Sequence, residues 1–341
     1  MSARLGAMAT SKKTSSSTAP TLEETLAGIN ETFGEGTAGL LNSEPRHIDV
    51  IPTGILELDT ELQVGGFPRG RIVEMYGPEA GGKSTIALHV VAECQRMGKT
   101  AVYIDLENAM NDEYAESIGV DMSKLVLSQP GTTEQALEII ERFLPVEEVG
   151  LVVVDSVAAM VPRAEMEGDF GDANVGLQAR LMSQGLRKLA MSIGKTNTTV
   201  IFINQLRDKV GVVYGSPETT PGGKALKFYA SVRLDVRRGD LIKGSGDVVV
   251  GNYVKAKITK TRVGNPYRTA VFELTYGEGI TRAASILNMA TARGIIKKSG
   301  NWFNYEGEQL GNGSTQARVY LKEHPQLMEE IAGRLQEAPS E

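Results

Sequence analysis

The chain has 341 residues and a formal charge of 36 − 42 = −6, which excludes a general polycation and leaves nucleic-acid contact to local basic patches. One cysteine, Cys94, and three scattered histidines supply neither a disulfide framework nor a zinc-type cluster, as expected in a reducing compartment. No apolar run is long enough to span a membrane and the first residues lack the apolar stretch of a secretory signal, so a cytoplasmic chain that avoids membranes is expected.

Residues 1–20 are rich in Ser, Thr and Ala without apolar periodicity, which predicts a disordered tail. Residues 21–44 carry Leu22, Leu26, Ile29 and Phe33 at helical spacing, with Glu23 and Glu24 in the first turn and a stop near Gly34. Such a helix is too small to hold its own core. Packing on its own domain and packing on another subunit both remain open.

From about 45 to 281, apolar β-like runs alternate with helical segments, predicting an α/β core built on a mostly parallel twisted sheet. The run Arg71–Tyr76 reads as a strand. It leads into Gly77-Pro78-Glu79-Ala80-Gly81-Gly82-Lys83-Ser84-Thr85, the G-x-x-x-x-G-K-S pattern of a phosphate-binding loop. Its glycines let successive amides face one anion, Lys83 adds a cation near the β- and γ-phosphates of a nucleoside triphosphate, and Ser84 can ligate Mg²⁺. Ile86, Leu88, Val90, Val91 and Cys94 then fit a buried helix, whose N-terminus adds further anion-binding amides.

Three later apolar runs end in polar side chains: at Asp105, at Asp155-Ser156 and at Asn204-Gln205. Ligands of parallel sheets sit beyond the carboxyl ends of strands, so these endings converge on the phosphate loop. Asp155 is the expected second Mg²⁺ anchor, and Glu107 is placed to orient the attacking water. Gln205 can sense the γ-phosphate. Gly-rich stretches at 167–176 and 206–223 follow directly on two of these endings and predict functional loops. Residues 255–268 hold five basic residues and no acid, and strand alternation places Lys260 and Arg262 on the same face as Val254, Ala256 and Ile258. Cations continuing an apolar face suit an anion at a subunit boundary, as arginine fingers do.

Over residues 21–335 these motifs, together with Gly176–Gln184, the run Gly215–Arg238 and Tyr276–Ile280, resemble the bacterial RecA recombinases. The resemblance implies a RecA-like P-loop ATPase core, a small N-terminal helical arm for oligomerisation, and a small α+β C-terminal domain over 282–341 that captures duplex DNA. It further implies an ATP- and Mg²⁺-dependent helical homopolymer on single-stranded DNA that pairs with homologous double-stranded DNA and exchanges strands. By the same resemblance Asn111, Tyr114 and Tyr276 belong to the nucleotide site, and Lys260 and Arg262 reach a neighbour's γ-phosphate. Arg180, Ser183, Arg187, Arg207, Gly222, Gly223 and Lys224 contact DNA backbone, and Val175, Leu206 and Val210 wedge between base triplets. Phe228 matches a subunit-interface position, while SOS-type repressors and filament loaders are implied partners.

Several positions depart from the family pattern: Asn108 and Asn111 in LENAMND, Arg262 in place of Lys, and Glu306, Gln309 and Ser314 where basic residues are common. These fit a divergent or phage-borne member. A ring-forming motor on the same core and a non-catalytic filament that recruits partners are the alternative readings.

Overall fold

The computed structural model describes residues 19–40, 48–169, 176–208 and 218–337. The chain divides into two compact units, 1–47 and 48–341. In the first, the helix Leu22–Phe33 opens on a capping box, in which Thr21 Oγ1 accepts from the Glu24 amide and Glu24 Oε2 accepts from the Thr21 amide. Gly34, at φ +104°, ends it.

The second unit is built on eight strands: β1 (Ile72–Gly77), β2 (Thr100–Asp105), β3 (Leu125–Ser128), β4 (Val149–Asp155), β5 (Thr199–Gln205), β6 (Val232–Lys243), β7 (Val249–Thr261) and β8 (Thr269–Thr275). Their order is β8-β7-β6-β1-β5-β4-β2-β3, parallel from β6 to β3, with β7 and β8 added antiparallel at one edge. This is the expected mostly parallel sheet.

Alternate residues of the central strands enter two separate cores. Val73, Met75, Ala101, Tyr103, Leu151, Val153, Ile201 and Ile203 pack with the helix Lys83–Arg96 on one face. Ile72, Val102, Ile104, Val152, Val154, Val200 and Phe202 pack with the helices Thr133–Phe143 and Leu177–Ile193 on the other. Burial on both faces is why these strands read as continuous apolar runs rather than alternating ones.

A third apolar cluster, including Ile286, Leu287, Phe303, Leu310, Leu321 and Ile331, holds a small α+β layer. It consists of the helices Arg282–Ala292, Ser314–Glu323 and Pro325–Glu337 around a three-stranded antiparallel sheet. Leu56, at the start of the helix Leu56–Leu62, packs against this cluster, while Leu58 and Leu62 of the same helix enter the main core.

The register of β7 corrects one expectation. Leu234 opposes Ile258 but Arg233 opposes Lys260, so Thr259 is an extra residue in β7. A one-residue bulge reverses the alternation beyond it. Val254, Ala256 and Ile258 therefore enter the core on the side of the Lys83–Arg96 helix, whereas Lys260 lies with Arg233 on the opposite face.

Candidate functional site

The phosphate loop begins where β1 runs out. A Cβ on Gly77 would stand 2.0 Å from the Val236 carbonyl oxygen of β6, and one on Gly81 would stand 2.8 Å from it, so the loop hugs the neighbouring backbone. Gly82 adopts φ +96° as the cap of the Lys83–Arg96 helix. Pro78, Glu79 and Ala80 form the exposed outer turn. Lys83 is buried, and its ammonium donates to the carbonyls of Gly77 at 3.1 Å and Pro78 at 2.6 Å. Burial lowers the Lys83 pKa, an effect opposed by the charges of Asp155, Glu107 and Glu79.

Two carboxylates flank this loop from β2 and β4. Asp155 ends β4, and its Oδ2 accepts from Ser84 Oγ at 2.7 Å and from Tyr103 OH at 2.7 Å. Burial pushes the Asp155 carboxyl up, the two hydroxyls pull it down, and Glu107 and Asp105 push it up again. A hydroxyl and a carboxylate side by side are the oxygen donors that a hard divalent cation takes, so Ser84 and Asp155 fit Mg²⁺. Glu107 lies two residues beyond β2, in a loop held by Asp105, whose carboxylate accepts from the Glu107 and Met110 amides at 3.2 Å each. Glu107 Oε1 accepts from Ser156 Oγ at 2.5 Å and from Gln205 Nε2 at 3.1 Å. Three strand ends thus meet on one carboxylate.

Asn111 caps the short helix Asp112–Ile118, its Oδ1 accepting from the Tyr114 amide at 2.9 Å. The Tyr114 hydroxyl stands 3.1 Å from Thr85 Oγ1, tying this helix to the phosphate loop, and burial raises its pKa. Tyr276 is half exposed after β8, and its hydroxyl accepts from Arg238 at 3.3 Å.

The two Gly-rich loops share a base. Gln178 Nε2 donates to the carbonyls of Val157 and Met160, both at 2.9 Å, while its Oε1 accepts from the Gly222 amide at 3.3 Å. Asn204 Nδ2 donates to the Pro221 carbonyl at 3.2 Å and to Glu74 Oε1 at 3.3 Å. Gly222 and Gly223 adopt φ of +79° and +78°, and a Cβ on Gly223 would meet Ala179 Cβ at 2.9 Å. Leu206 is half-buried and Arg207 exposed at the start of the second loop, and Lys224 is exposed at its end. Arg180 and Arg187 are exposed seven residues apart, on one face of the Leu177–Ile193 helix, without an acid partner among the described residues. Ser183 lies between them and donates to the Ala179 carbonyl at 2.7 Å. Val175 and Val210 lie outside the described residues.

Lys260 and Arg262 stand apart from this assembly. Lys260 Nζ donates to the carbonyls of Lys227 and Phe228 at 2.8 and 2.9 Å, and Arg262 Nη2 donates to Phe228 at 2.9 Å. Lys260 opposes Arg233, which is in register with Glu74 of β1, three residues before Gly77. At ~3.3 Å per residue that is ~10 Å back along the strand, on the sheet face away from the Lys83–Arg96 helix. Burial and the charge of Arg262 lower the Lys260 pKa. Phe228 beside them is 67% exposed.

Sequence reasoning gave no role to Tyr103 or Gln178 and named Ser156 and Asn204 only as strand endings. Each is one polar group at or near the end of an apolar run or helix, and only the neighbouring strand or loop shows what it touches. Among the atypical residues of the C-terminal layer, Glu306 pairs with Arg334 at 2.7 Å and Ser314 accepts from Arg318 at 3.2 Å.

The chain matches the family model of the RecA N-terminal domain over residues 20–281 and that of the RecA C-terminal domain over 284–339. It is 54% identical over 317 residues to Protein RecA of Acidothermus cellulolyticus, covering 93% of this chain and 92% of that one. It is 53% identical over 317 residues to Protein RecA of Saccharopolyspora erythraea (93% and 91%), and 52% over 315 residues to that of Bifidobacterium breve (92% and 80%). Among solved structures it resembles a RadB recombinase, with TM-score 0.51 and 26% identity over 68% of this chain and 98% of that one.

Proposed function

The chain belongs to the RecA family and is a DNA-dependent ATPase of recombination and repair; from that premise we propose how its residues divide the work. ATP lies on the loop 77–85, with Lys83 turned from the Gly77 and Pro78 carbonyls toward the phosphates and Asn111, Tyr114 and Tyr276 bordering the base. Ser84 and Asp155 would hold Mg²⁺, which would supply positive charge to the phosphate oxygens. Glu107 orients the attacking water and accepts its proton.

The observation that carries this reading is the Glu107 carboxylate, which takes hydrogen bonds from Ser156 and Gln205 at once. Gln205 directly precedes the loop that starts at residue 206, so contact with the γ-phosphate and the placement of that loop share one side chain. Loops 167–176 and 206–223, with the helix Leu177–Ile193 and Lys224 beside them, bind single-stranded DNA through Arg180, Ser183, Arg187, Arg207, Gly222, Gly223 and Lys224, with Val175, Leu206 and Val210 as apolar wedges. Backbone contacts of this kind supply affinity without reading sequence and leave specificity to base pairing.

Lys260 and Arg262 are too far from their own loop to serve it, so they act on the γ-phosphate of an adjacent subunit in a helical homopolymer, with Phe228 at the interface. The arm 21–44 joins subunits in that polymer, the core spans 45–281, and 282–341 captures duplex DNA through Lys298 and the half-exposed Trp302, which lie on adjoining strands of its three-stranded sheet. We place this activity in the cytoplasm, with SOS-type repressors and filament loaders as further partners.

The test is ATP hydrolysis with and without single-stranded DNA for the natural chain and for Glu107→Gln. Loss of a general base should slow hydrolysis by about 10²- to 10⁴-fold while nucleotide binding persists. Hydrolysis at the natural rate in the variant would remove Glu107 from the reaction.

A further inference from the structure

Tyr103 is 3% exposed inside β2, where the neighbouring positions Val102 and Ile104 are wholly apolar. A buried phenol is costly unless its hydroxyl finds a partner. Here the partner is the Asp155 carboxylate, an acceptor only, at 2.7 Å. Tyr103 is in register with Val153 of β4, so Asp155 is its diagonal neighbour on the same sheet face, within reach of a long side chain. Ser84 donates to the same oxygen, Oδ2, at the same distance. Asp155 Oδ1 has no protein donor among the described residues. A phenylalanine would fill the space equally well, so the hydroxyl is the part of the side chain that packing does not require.

We propose that Tyr103 is a positioning residue of the divalent-cation site: its hydroxyl fixes the Asp155 carboxylate so that Oδ2 faces Ser84 and Oδ1 stays available to the cation or its water. The proposal rests on the reading of Ser84 and Asp155 as that site. A carboxylate with two donors on one oxygen cannot turn about its terminal bond without breaking both, which preorganises the anchor before the cation arrives. Groups that orient ligands in this way change metal affinity by about 10- to 100-fold when removed.

The experiment titrates Mg²⁺ into the full chain with a fluorescent ATP analogue, for the natural protein, Tyr103→Phe and Asp155→Asn. Thermal unfolding without nucleotide is recorded for all three. Tyr103→Phe should raise the Mg²⁺ concentration for half-maximal binding about tenfold, and Asp155→Asn should raise it at least as far. An unchanged half-saturation in Tyr103→Phe beside a raised one in Asp155→Asn overturns the role of Tyr103 and leaves the site intact. Unchanged values in both remove the site itself, and the proposal with it. A lower unfolding temperature in Tyr103→Phe without any change in half-saturation assigns the hydroxyl to stability and also overturns the proposal.

Discussion

Glu57 makes the pH dependence of stability predictable. It sits in the helix Leu56–Leu62, beside Leu56, which packs on the C-terminal layer. Neither carboxyl oxygen has a hydrogen-bond partner in sound geometry, although the nearby Ser285 hydroxyl works against burial by favouring the charged form. The charge of Glu273 adds to the upward push; Glu273 is itself paired with Arg318 at 2.6 Å and accepts from Asn288 and Tyr253. Burial pushes the Glu57 carboxyl up to about 7 from an ordinary 4.5.

The unfolded chain releases this proton above pH 4.5 and the folded chain holds it to about pH 7, so stability is lost as pH rises through that window. The full shift corresponds to ~3 kcal/mol, of which ~2 kcal/mol falls between about pH 5.5 and pH 8. Denaturant unfolding followed by the fluorescence of Trp302, the one tryptophan, reads the C-terminal layer, whose antiparallel sheet carries it. Glu57→Gln should flatten the stability curve by that ~2 kcal/mol relative to the natural chain. Asp59, also pushed up to about 7 by burial, titrates in both proteins and cancels in the difference. Parallel curves for the two proteins across this range would show that Glu57 does not carry the effect.

Gly77→Ala should abolish nucleotide binding while the chain still folds, because the added methyl would overlap the Val236 carbonyl at 2.0 Å and force the loop away; normal binding of a fluorescent nucleotide in equilibrium titrations would contradict this. Replacing Arg187 with Ala should weaken single-stranded DNA binding and reduce the slope of log affinity against log salt by about 0.7, as expected when one backbone phosphate is no longer neutralised. An unchanged slope would take Arg187 off the DNA path.

What the sequence determined by itself was local. The phosphate loop was legible because its glycines and Lys83-Ser84 act within a few residues of backbone, and the strands because burial on both faces leaves unbroken apolar runs such as Leu151–Val154. Strand ends at Asp155 and Gln205 could be named for the same reason. Tertiary structure decided which of these groups meet. That Tyr103 and Ser84 share one oxygen of Asp155 follows from β2 and β4 being neighbours, and that Gln178 ties two loops together follows from a helix lying under both. The face of Lys260 was misread because a single extra residue at Thr259 reverses the alternation. Period and spacing record what a residue does to its own backbone; pairing order, bulges and the seam that buries Glu57 depend on partners tens to hundreds of residues away, whose packing no local pattern registers.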